Sequence, residues 1–346
     1  KNYKILMKIE SDIKITYDDI MIKPQKSSIK SRADVNLNRT FNFKYSNITW
    51  TGIPIIAANM DTIGTIEMAK ELEKHKIVTA LHKFYTLDEL KNVNLNPDYF
   101  AISTGITISD FNRLENILVN INCNWICIDV ANGYMESLCS YCRMVRRRFP
   151  EKYIIAGNVV CGDLVKELIN ECGVDVVKVG IGGGSACTTR EKTGVGIPQL
   201  SVVLECVEAA NECGGYIMSD GGITCPGDMS KAFGAGARFV MGGGLFSGHD
   251  ENPGEIIESD GIKYKEFYGM SSSTAMNKHY GKVNSYRTSE GRTLKVKYKG
   301  SVTNTINDYL GGIRSTCTYI NCKNICEMAN NCTFVIVNNQ LNKSLI

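Results

Sequence analysis

Eight short runs rich in valine, isoleucine and other apolar residues recur along the chain, mostly at intervals of about twenty to thirty residues. Amphipathic stretches of helical period separate them. Parallel strands need long crossovers of this kind between neighbours. The alternation therefore predicts an α/β fold, a (β/α)₈ TIM barrel in which each run is one strand. The runs begin at Ile53, Ile77, Tyr99, Trp125, Tyr153, Val174, Tyr216 and Arg238.

The helices and the tail complete the predicted fold. Two clear helical stretches run from Thr65 to His75 and from Gly162 to Cys172, each with its apolar residues on one stripe. We interpret residues 246–300 as a flap over the carboxyl end of the barrel, and residues 301–346 as a closing helical segment. We therefore predict that residues 1–346 form a single barrel domain.

Composition narrows the functional classes. The net charge of +3 comes from 39 basic and 36 acidic side chains spread along 346 residues, so we expect no nucleic-acid partner. No apolar run approaches the roughly 18 residues of a membrane span, and the first residues lack the apolar core of a signal peptide. We expect a cytoplasmic protein that does not bind membranes.

Fourteen cysteines are irregularly spaced along the chain. Without an export signal this pattern favours free thiols in a reducing compartment over disulfides. The spacings of Cys139 with Cys142 and of Cys322 with Cys326 could hold a metal, but neither pair has a second pair nearby. We interpret these four cysteines as buried or half-buried small apolar residues.

The densest motif is the glycine-rich segment from Gly180 to Arg190, which follows the sixth predicted strand and contains Cys187. Glycines let a loop aim backbone amides and carbonyls at one point, and a thiol on such a loop lies outside the packed core. Cys187 is therefore a candidate nucleophile. Taken alone, the motif is also compatible with a glycine-rich turn that carries an incidental cysteine.

Two further glycine motifs end the seventh and eighth predicted strands. They are Asp220-Gly221-Gly222 and Gly242-Gly243-Gly244. These are the positions at which such barrels commonly bind phosphate through backbone amides. A phosphate-bearing substrate beside Cys187 follows, with Asp220 suited to accept hydrogen bonds from ribose hydroxyls. The alternative for Asp220 is an ordinary turn-capping aspartate.

Longer stretches carry a family resemblance. GIGGGSACTTREKTGVGIPQLSVVLEC, SDGGITCPGDMSKAFGAGARFVMGGG, FYGMSSSTAMNKHYG with YRTSEG, and LGGIRSTCTYI closely resemble the reductase branch of the IMP dehydrogenase and GMP reductase family. IPIIAANMDTIGT, DVANGY and AGNVV are similar to the same branch. The resemblance runs from about Ile15 to Val337, which is nearly the whole chain.

Three features distinguish the reductase branch from the dehydrogenase branch. Dehydrogenases usually carry an inserted regulatory domain after the second strand, whereas here the chain continues from Ala80-Leu-His-Lys83 directly into the next βα unit. Their flap bears an Arg-Tyr pair, and the residues after their cysteine differ from Thr188-Thr-Arg190. The reductases have a glutamate in a Ser-Glu-Gly motif, and Glu290 occupies that position here.

The resemblance implies an NADPH-dependent enzyme that converts GMP into IMP and ammonia through a thioimidate on Cys187, in purine nucleotide salvage and interconversion. Cys187 would be the nucleophile, with Thr189 and Glu290 handling protons. Without the resemblance, Glu290 would be interpreted as a solvated surface residue. The residues implied to bind GMP are Ser185, Asp220, Gly221, Gly222, Gly243, Gly244, Gly269, Met270, Ser271, Arg287, Ser289 and Gly291.

The resemblance also implies where the dinucleotide binds. No Gly-x-Gly-x-x-Gly follows an early strand, so binding in the Rossmann manner is not expected. Arg32 would suit the 2′-phosphate of NADPH, although it could equally be an arginine with a solvated head. The implied residues are Lys83, Asp129, Val130, Ala131, Gly180, Ile181 and Gly182, with Ser31, Arg32, Ser315, Thr316 and Cys317 contributed by a neighbouring subunit of a homotetramer.

A potassium ion is implied on carbonyl groups of the cysteine loop, at Gly182, Gly184, Cys187 and Arg190. Carbonyl oxygens suit a hard monovalent cation. The sequence departs from the family at Gly183, where proline is usual, and at Gly242, where a bulkier residue is usual. A more flexible loop would be expected to weaken ion binding or to slow assembly of the site.

Two alternative functions stay open. An IMP dehydrogenase would share the barrel, the cysteine loop and the nucleotide pocket, but it would oxidise IMP with NAD. A nucleotide-binding barrel with a regulatory or structural role would bind GMP without turnover, and its Cys187 would be unreactive.

Overall fold

A computed structural model of the chain describes residues 9–46, 48–281 and 288–337. Its strands are β1 Ile20–Ile22, β2 Arg39–Asn42, β3 Thr49–Gly52, β4 Ile55–Ala57, β5 Val78–Leu81, β6 Phe100–Thr104, β7 Trp125–Asp129, β8 Tyr153–Val159, β9 Val176–Val179, β10 Tyr216–Asp220, β11 Phe239–Gly242, β12 Ile257–Ser259, β13 Ile262–Tyr268, β14 Thr293–Lys297 and β15 Phe334–Ile336. Its α-helices are α1 Ile66–Leu72, α2 Leu87–Lys91, α3 Ile108–Asn120, α4 Glu136–Arg148, α5 Gly162–Asn170, α6 Thr189–Thr193, α7 Gln199–Glu212, α8 Pro226–Gly234, α9 Ser273–Tyr280, α10 Val302–Tyr319 and α11 Met328–Asn331.

The strands β4 to β11 form a closed parallel barrel in the order β10-β11-β4-β5-β6-β7-β8-β9. Each arises from one of the eight apolar runs, so the predicted (β/α)₈ barrel is confirmed. Helices cover the outside of the barrel and side chains fill its inside, so both faces of each strand are shielded from water. This is why the strands are continuous apolar runs, as in β5 and β9, where every residue is buried.

Side-chain caps set where the helices begin. Thr65 lies one residue before α1 and its side chain accepts a hydrogen bond from the backbone of Met68, so the helix starts after the capping residue. Ser301 caps α10 in the same manner. The predicted stretch from Thr65 to His75 ends as a 3₁₀ turn, Glu73–His75.

Within the described ranges, none of the helices combines the length and the hydropathy needed to cross a bilayer.

An aromatic cluster closes the amino end of the barrel. The antiparallel pair β2 and β3 supplies Phe41 and Trp50, and Phe43 follows β2 directly. Their rings contact aromatic residues at the beginnings of barrel strands. The ring of Phe41, for example, stacks on that of Phe239 with centroids 4.4 Å apart. Sequence analysis did not predict this hairpin, because two four-residue strands are too short for their alternation to stand out.

The segment after the barrel contains a small sheet and several helices. We keep the name flap for residues 246–300, whose role over the barrel stays a prediction. The strands β12, β13 and β14 make a three-stranded antiparallel sheet, and α9 lies between β13 and β14 in the chain. The helix α10 packs against α8 and α1 on the outside of the barrel. Near the described end, β15 pairs antiparallel with β1, which joins the two ends of the described chain.

The cysteines depart from the sequence prediction at one pair. Cys139 in α4 and Cys172 after α5 form a disulfide, with their Cα atoms 5.3 Å apart. The prediction of free thiols is wrong for these two, because the approach of two helices is not visible in cysteine spacing. The other twelve cysteines are free. The interpretation as buried small apolar residues is confirmed for Cys142 and Cys322. It is wrong for Cys326, which is exposed in the 3₁₀ turn Ile325–Glu327, where only Ile325 faces the core.

We predict that Phe41→Ala lowers the free energy of unfolding by about 3–5 kcal/mol, because truncation leaves a cavity among rings that cannot close around it. Phe41 is buried and its ring contacts those of Trp50, Tyr216 and Phe239. Urea denaturation measures the change. The exposed neighbour Thr40 provides the control, since Thr40→Ala should cost less than about 1 kcal/mol. Equal losses in the two variants would contradict a sealing role for the aromatic cluster.

Candidate active site

A cavity of about 780 Å³ opens at the carboxyl end of the barrel. Residues at the end of every barrel strand, or just after it, line the cavity, and flap residues between Phe267 and Glu290 line the opposite side. Carboxyl ends of barrel strands are the position of active sites in this fold. Most of the sequence-predicted site residues line this one cavity: Cys187, Thr189, Glu290, Ser185, Asp220, Gly221, Gly222, Gly243, Gly244, Gly269, Met270, Ser271, Lys83, Asp129, Val130, Ala131, Gly180, Ile181, Gly182 and Gly184.

The glycine-rich loop after β9 depends on the absence of a side chain at Gly180. Its φ is +139°, and a Cβ atom there would collide with the carbonyl oxygen of Asp220. The loop is further tied to the one after β10, because the backbone N–H of Gly222 donates to the carbonyl of Gly183 at 2.9 Å. These contacts bring the cysteine loop and the predicted phosphate loop together.

The three predicted catalytic side chains form one hydrogen-bonded chain. The thiol of Cys187 donates to Thr189 Oγ1 at 3.2 Å, and that hydroxyl donates to Glu290 Oε2 at 2.7 Å. Cys187 is half-buried, and so is Glu290, which is therefore not a solvated surface residue. A thiol, a hydroxyl and a carboxylate in this order can combine nucleophilic attack with proton transfer.

Backbone pairing holds the cysteine loop against the flap. Cys187 and Gly291 form an antiparallel bridge, and the N–H of Thr188 donates to the carbonyl of Glu290 at 2.8 Å. Within the flap, the hydroxyl of Ser289 donates to the carbonyls of Ser271 and Gly291. Ser289 and Gly291 therefore support the cavity wall from behind. Arg287 lies outside the described residues.

A buried lysine that sequence analysis missed lies in the floor of the cavity. Lys178 is part of β9, and its side chain is 2% exposed. Its Nζ atom lies 2.6 Å from Asp129 Oδ1 and 3.2 Å from Asp220 Oδ2. The signal was present in the sequence, since a charged residue inside a run of valines is rarely buried without a partner.

The electrostatics of this floor follow from burial and charge together. Burial by itself would raise the pKa of Asp129, but the Lys178 ammonium and hydrogen bonds from Lys178 and Asn59 outweigh it and hold that pKa below its usual value. Burial would likewise lower the pKa of Lys178, yet Asp129 and Asp220 outweigh it and raise that pKa. Asp129 and Lys178 therefore both carry charge in the floor.

A second missed residue, Asp61, anchors the flap to the barrel. Its buried Oδ2 atom accepts hydrogen bonds from the Tyr268 hydroxyl at 2.9 Å and from Lys278 Nζ at 3.2 Å, and His279 Nε2 lies 2.7 Å away. The backbone N–H of Asp61 lies 3.2 Å from the sulfur of Met270. The loop after β4 thus holds β13, α9 and Met270 in place. Asp61 belongs to a quoted motif, but nothing in its local sequence indicates these partners.

Five predicted dinucleotide residues lie away from the cavity. Ser31 caps the 3₁₀ helix Arg32–Asp34, and this short helix packs against α10. Helix α10 contains Ser315, Thr316 and Cys317. Thr316 donates its hydroxyl to Ser230, and the Cys317 side chain is fully buried, so its thiol offers no surface to a ligand. The contribution of this surface to a neighbouring subunit stays a prediction. The five residues are Ser31, Arg32, Ser315, Thr316 and Cys317.

The two departures from the family pattern occupy different surroundings. A Cβ atom at Gly183 would meet its nearest neighbours in Gln199 and Gly221 at 3.5 Å, which is ordinary van der Waals contact. The position has room for a side chain, so packing does not explain the glycine. A Cβ atom at Gly242 would collide with the side chain of Leu245 and crowd that of Phe246. A side chain at position 242 would therefore have to displace the side chain of Leu245.

Comparisons with known proteins agree with this geometry. A family model described as IMP dehydrogenase / GMP reductase domain matches residues 14–343, and the chain belongs to this family. It is 52% identical over 341 residues to a protein of Caenorhabditis elegans named GMP reductase, covering 97% of this chain and 95% of that protein. It is 53% identical over 340 residues to human GMP reductase 1, covering 97% and 98%. It is 51% identical over 342 residues to a GMP reductase of Photobacterium profundum, with the same coverage.

We predict that His82 makes the fold less stable in mild acid. Burial lowers its pKa from 6.5 to about 4, while Asp61 raises it and Lys278 and His279 lower it. Between these two values the unfolded chain takes up a proton that the folded chain does not, so stability falls as pH falls, by up to about 1.4 kcal/mol per pH unit. Urea denaturation of the wild type and of His82→Gln at pH 7.5, 6 and 5 measures the slope.

His82→Gln should flatten that slope. His75→Gln, which removes a histidine from the end of a helix outside the cavity, is the matched control and should leave the slope unchanged. Identical slopes for the wild type and for His82→Gln would refute the assignment.

Proposed function

We propose that this chain functions as a GMP reductase, which converts GMP into IMP and ammonia with NADPH as reductant. The observation that carries the proposal is the hydrogen-bonded chain from Cys187 through Thr189 to Glu290, inside a cavity bordered by glycine loops. Relatives named GMP reductase, similar over nearly their full lengths, support it. We place the reaction in cytoplasmic purine nucleotide salvage and interconversion.

GMP binds across the loops after β9, β10 and β11. Backbone amides near Ser185, Gly222 and Gly244 can surround the phosphate, because loops of this kind present several N–H groups to one anion. Asp220 accepts hydrogen bonds from the ribose. The remaining assigned contacts are Gly221 and Gly243 near the phosphate and ribose, and Gly269, Met270, Ser271, Arg287, Ser289 and Gly291 around the base.

Catalysis begins with attack of the Cys187 sulfur on purine C2. A sulfur–carbon bond forms, the bond from C2 to the amino nitrogen breaks, and a thioimidate remains when ammonia departs. The proton that Cys187 loses passes through Thr189 to Glu290, and these two residues then deliver it to the leaving nitrogen, since a neutral amine departs far more easily than an amide ion. When hydride has been added at C2, the sulfur–carbon bond breaks with its electron pair on sulfur, and the Cys187 thiolate takes up a proton from water to restore the thiol.

The part of the cavity between β5, β7 and β9 fits a nicotinamide cofactor, which supplies hydride when bound. Lys83, Asp129, Val130, Ala131, Gly180, Ile181 and Gly182 line that part. Asp129, held by Lys178 and Asn59, can accept hydrogen bonds there. We assign the distal end of the dinucleotide to Ser31, Arg32, Ser315 and Thr316 of a neighbouring subunit in a homotetramer, where the exposed Arg32 suits a 2′-phosphate. The buried Cys317 is left out of this assignment.

The cysteine loop also has backbone carbonyl oxygens, which are ligands that suit potassium. We assign the ion to carbonyl groups of Gly182, Gly184, Cys187 and Arg190. The loop turns back on itself, because Gly182 packs against the Arg190 side chain and the N–H of Cys187 donates to the Gly184 carbonyl at 3.0 Å. Carbonyl oxygens gathered by such a turn suit a hard monovalent cation better than a transition metal.

The direct test mixes the purified protein with two substrate pairs in potassium-containing buffer. GMP with NADPH should give loss of nicotinamide absorbance and equal amounts of IMP and ammonia. IMP with NAD should give no steady production of NADH. Steady NADH production with no reaction of GMP would instead identify an IMP dehydrogenase, and absence of turnover with both pairs would favour the non-catalytic binding role.

Cys187→Ala is the control for the covalent route. It should keep GMP binding, since the phosphate and ribose contacts come from other residues, and it should lose turnover. Mass spectrometry of the wild type during turnover should detect the purine adduct on Cys187. An active alanine variant would exclude the covalent mechanism.

We predict that Glu290→Gln slows deamination about 100-fold or more, because the amide cannot supply the proton. Hydride transfer can be measured separately in reverse, by adding IMP and oxidised cofactor and recording the first turnover, which does not involve ammonia. That step should change less than about tenfold. Glu266→Gln, at an exposed glutamate of β13, is the matched control and should leave both steps unchanged. Equal losses in both steps would contradict the proton role of Glu290.

A further inference from the structure

The cavity floor holds a network of five polar side chains, four from the consecutive strands β7 to β10 and one from the segment after β4. Lys178 in β9 reaches Asp129 at the end of β7 and Asp220 at the end of β10. Asn59, after β4, donates to Asp129 Oδ2 at 2.9 Å. Asn158, in β8, donates to Asp220 Oδ2 at 2.8 Å. The proposed chemistry at Cys187 uses neither Lys178 nor the two asparagines.

The two carboxylates in this network belong to different parts of the cavity. Asp220 borders the glycine loops that receive the phosphate and ribose of GMP, whereas Asp129 borders the part assigned to the nicotinamide cofactor. One ammonium group is the only bridge between them among the described hydrogen bonds and ion pairs. A ligand that changes the contacts of one carboxylate therefore changes the strength of the ion pair between Lys178 and the other carboxylate.

Burial makes this sharing energetically significant. Lys178 is 2% exposed, so water does not compensate when a carboxylate contact is lost. A buried ammonium between two carboxylates must keep at least one of them as a close partner. When ribose hydroxyls donate hydrogen bonds to Asp220, they replace part of the stabilisation that the Lys178 ammonium gives to this carboxylate. The ammonium can then move closer to Asp129. Asp129 is then held in one orientation before the cofactor arrives, which lowers the ordering cost of cofactor binding.

We propose that Lys178 is a positioning residue that couples the two halves of the cavity, so that GMP bound at Asp220 strengthens binding of the nicotinamide cofactor at Asp129. The inference rests on the proposed function, because that function assigns the two ligands to the two carboxylates. By linkage, the cofactor strengthens GMP binding by the same factor.

The experiment measures binding in a Cys187→Ala background, where both ligands can be present without turnover. Calorimetry gives the dissociation constant of NADPH with and without saturating GMP, and the ratio of the two is the coupling factor. We expect a factor of at least about five when Lys178 is present. A ratio of one in this protein would overturn the proposal without any change at Lys178.

Two neutral variants then test the residue. Lys178→Met removes the charge and Lys178→Gln keeps a donor without the charge. Either should reduce the coupling factor at least about fivefold relative to the Lys178 protein, whereas Lys178→Arg should retain part of it. A purely structural role would lower thermal stability and both affinities but leave the ratio unchanged, and that result would overturn the proposal.

The matched control is Lys231→Met, which removes another buried lysine whose Nζ donates to the backbone of Tyr17 outside the cavity. It should leave the coupling factor unchanged, and a reduction equal to that of Lys178→Met would overturn the proposal. Failure of the proposed function has a different signature, because GMP or NADPH would then not bind to the Lys178 protein at all. Binding of both ligands with unaltered coupling in the neutral variants contradicts only the inference about Lys178.

Discussion

The backbone bridge between Cys187 and Gly291 is the interaction on which the candidate site depends. It joins the loop after the sixth barrel strand to the flap, and through that pairing Glu290 comes within hydrogen-bond distance of Thr189, 101 positions earlier in the chain. Without the bridge, the thiol and the carboxylate would belong to separate segments. The barrel holds one side of the bridge rigidly, and Asp61 holds the other side by anchoring α9 and Tyr268.

The second organising element is charge buried in the cavity floor. Lys178 brings Asp129 and Asp220 together. It lies in β9 and reaches Asp129 in β7, although β7 and β9 are not adjacent in the barrel. The positive charge compensates the carboxylates where solvent is scarce, so acidic side chains can face ligands from the barrel interior. The hydrogen-bonded chain from Cys187 to Glu290 and the cavity floor thus depend on different interactions, backbone pairing for the first and a shared buried cation for the second.

Much of the fold was predictable because barrel strands leave a strong local signal. All eight strands follow from apolar runs, and the two predicted helical stretches begin at or one residue before the observed helices α1 and α5. The β2–β3 hairpin and the Cys139–Cys172 disulfide were not predictable, since the first is too short and the second depends on how two helices approach. In the site, the motifs around Cys187 were recognisable from the sequence. Lys178 was not predicted as a site residue, because it lies within an apolar run that was interpreted only as a barrel strand.

The sequence by itself determined the barrel, the glycine loops at the strand ends and the residue types available for chemistry, because periodicity and composition are local properties of the chain. Only the tertiary structure decided that Thr189 meets Glu290, that Lys178 lies between Asp129 and Asp220, and that Asp61 holds the flap. Those partners are distant in sequence, and their distances depend on how strands, loops and flap pack. Packing is a property of the whole chain, and no single segment of the sequence contains it.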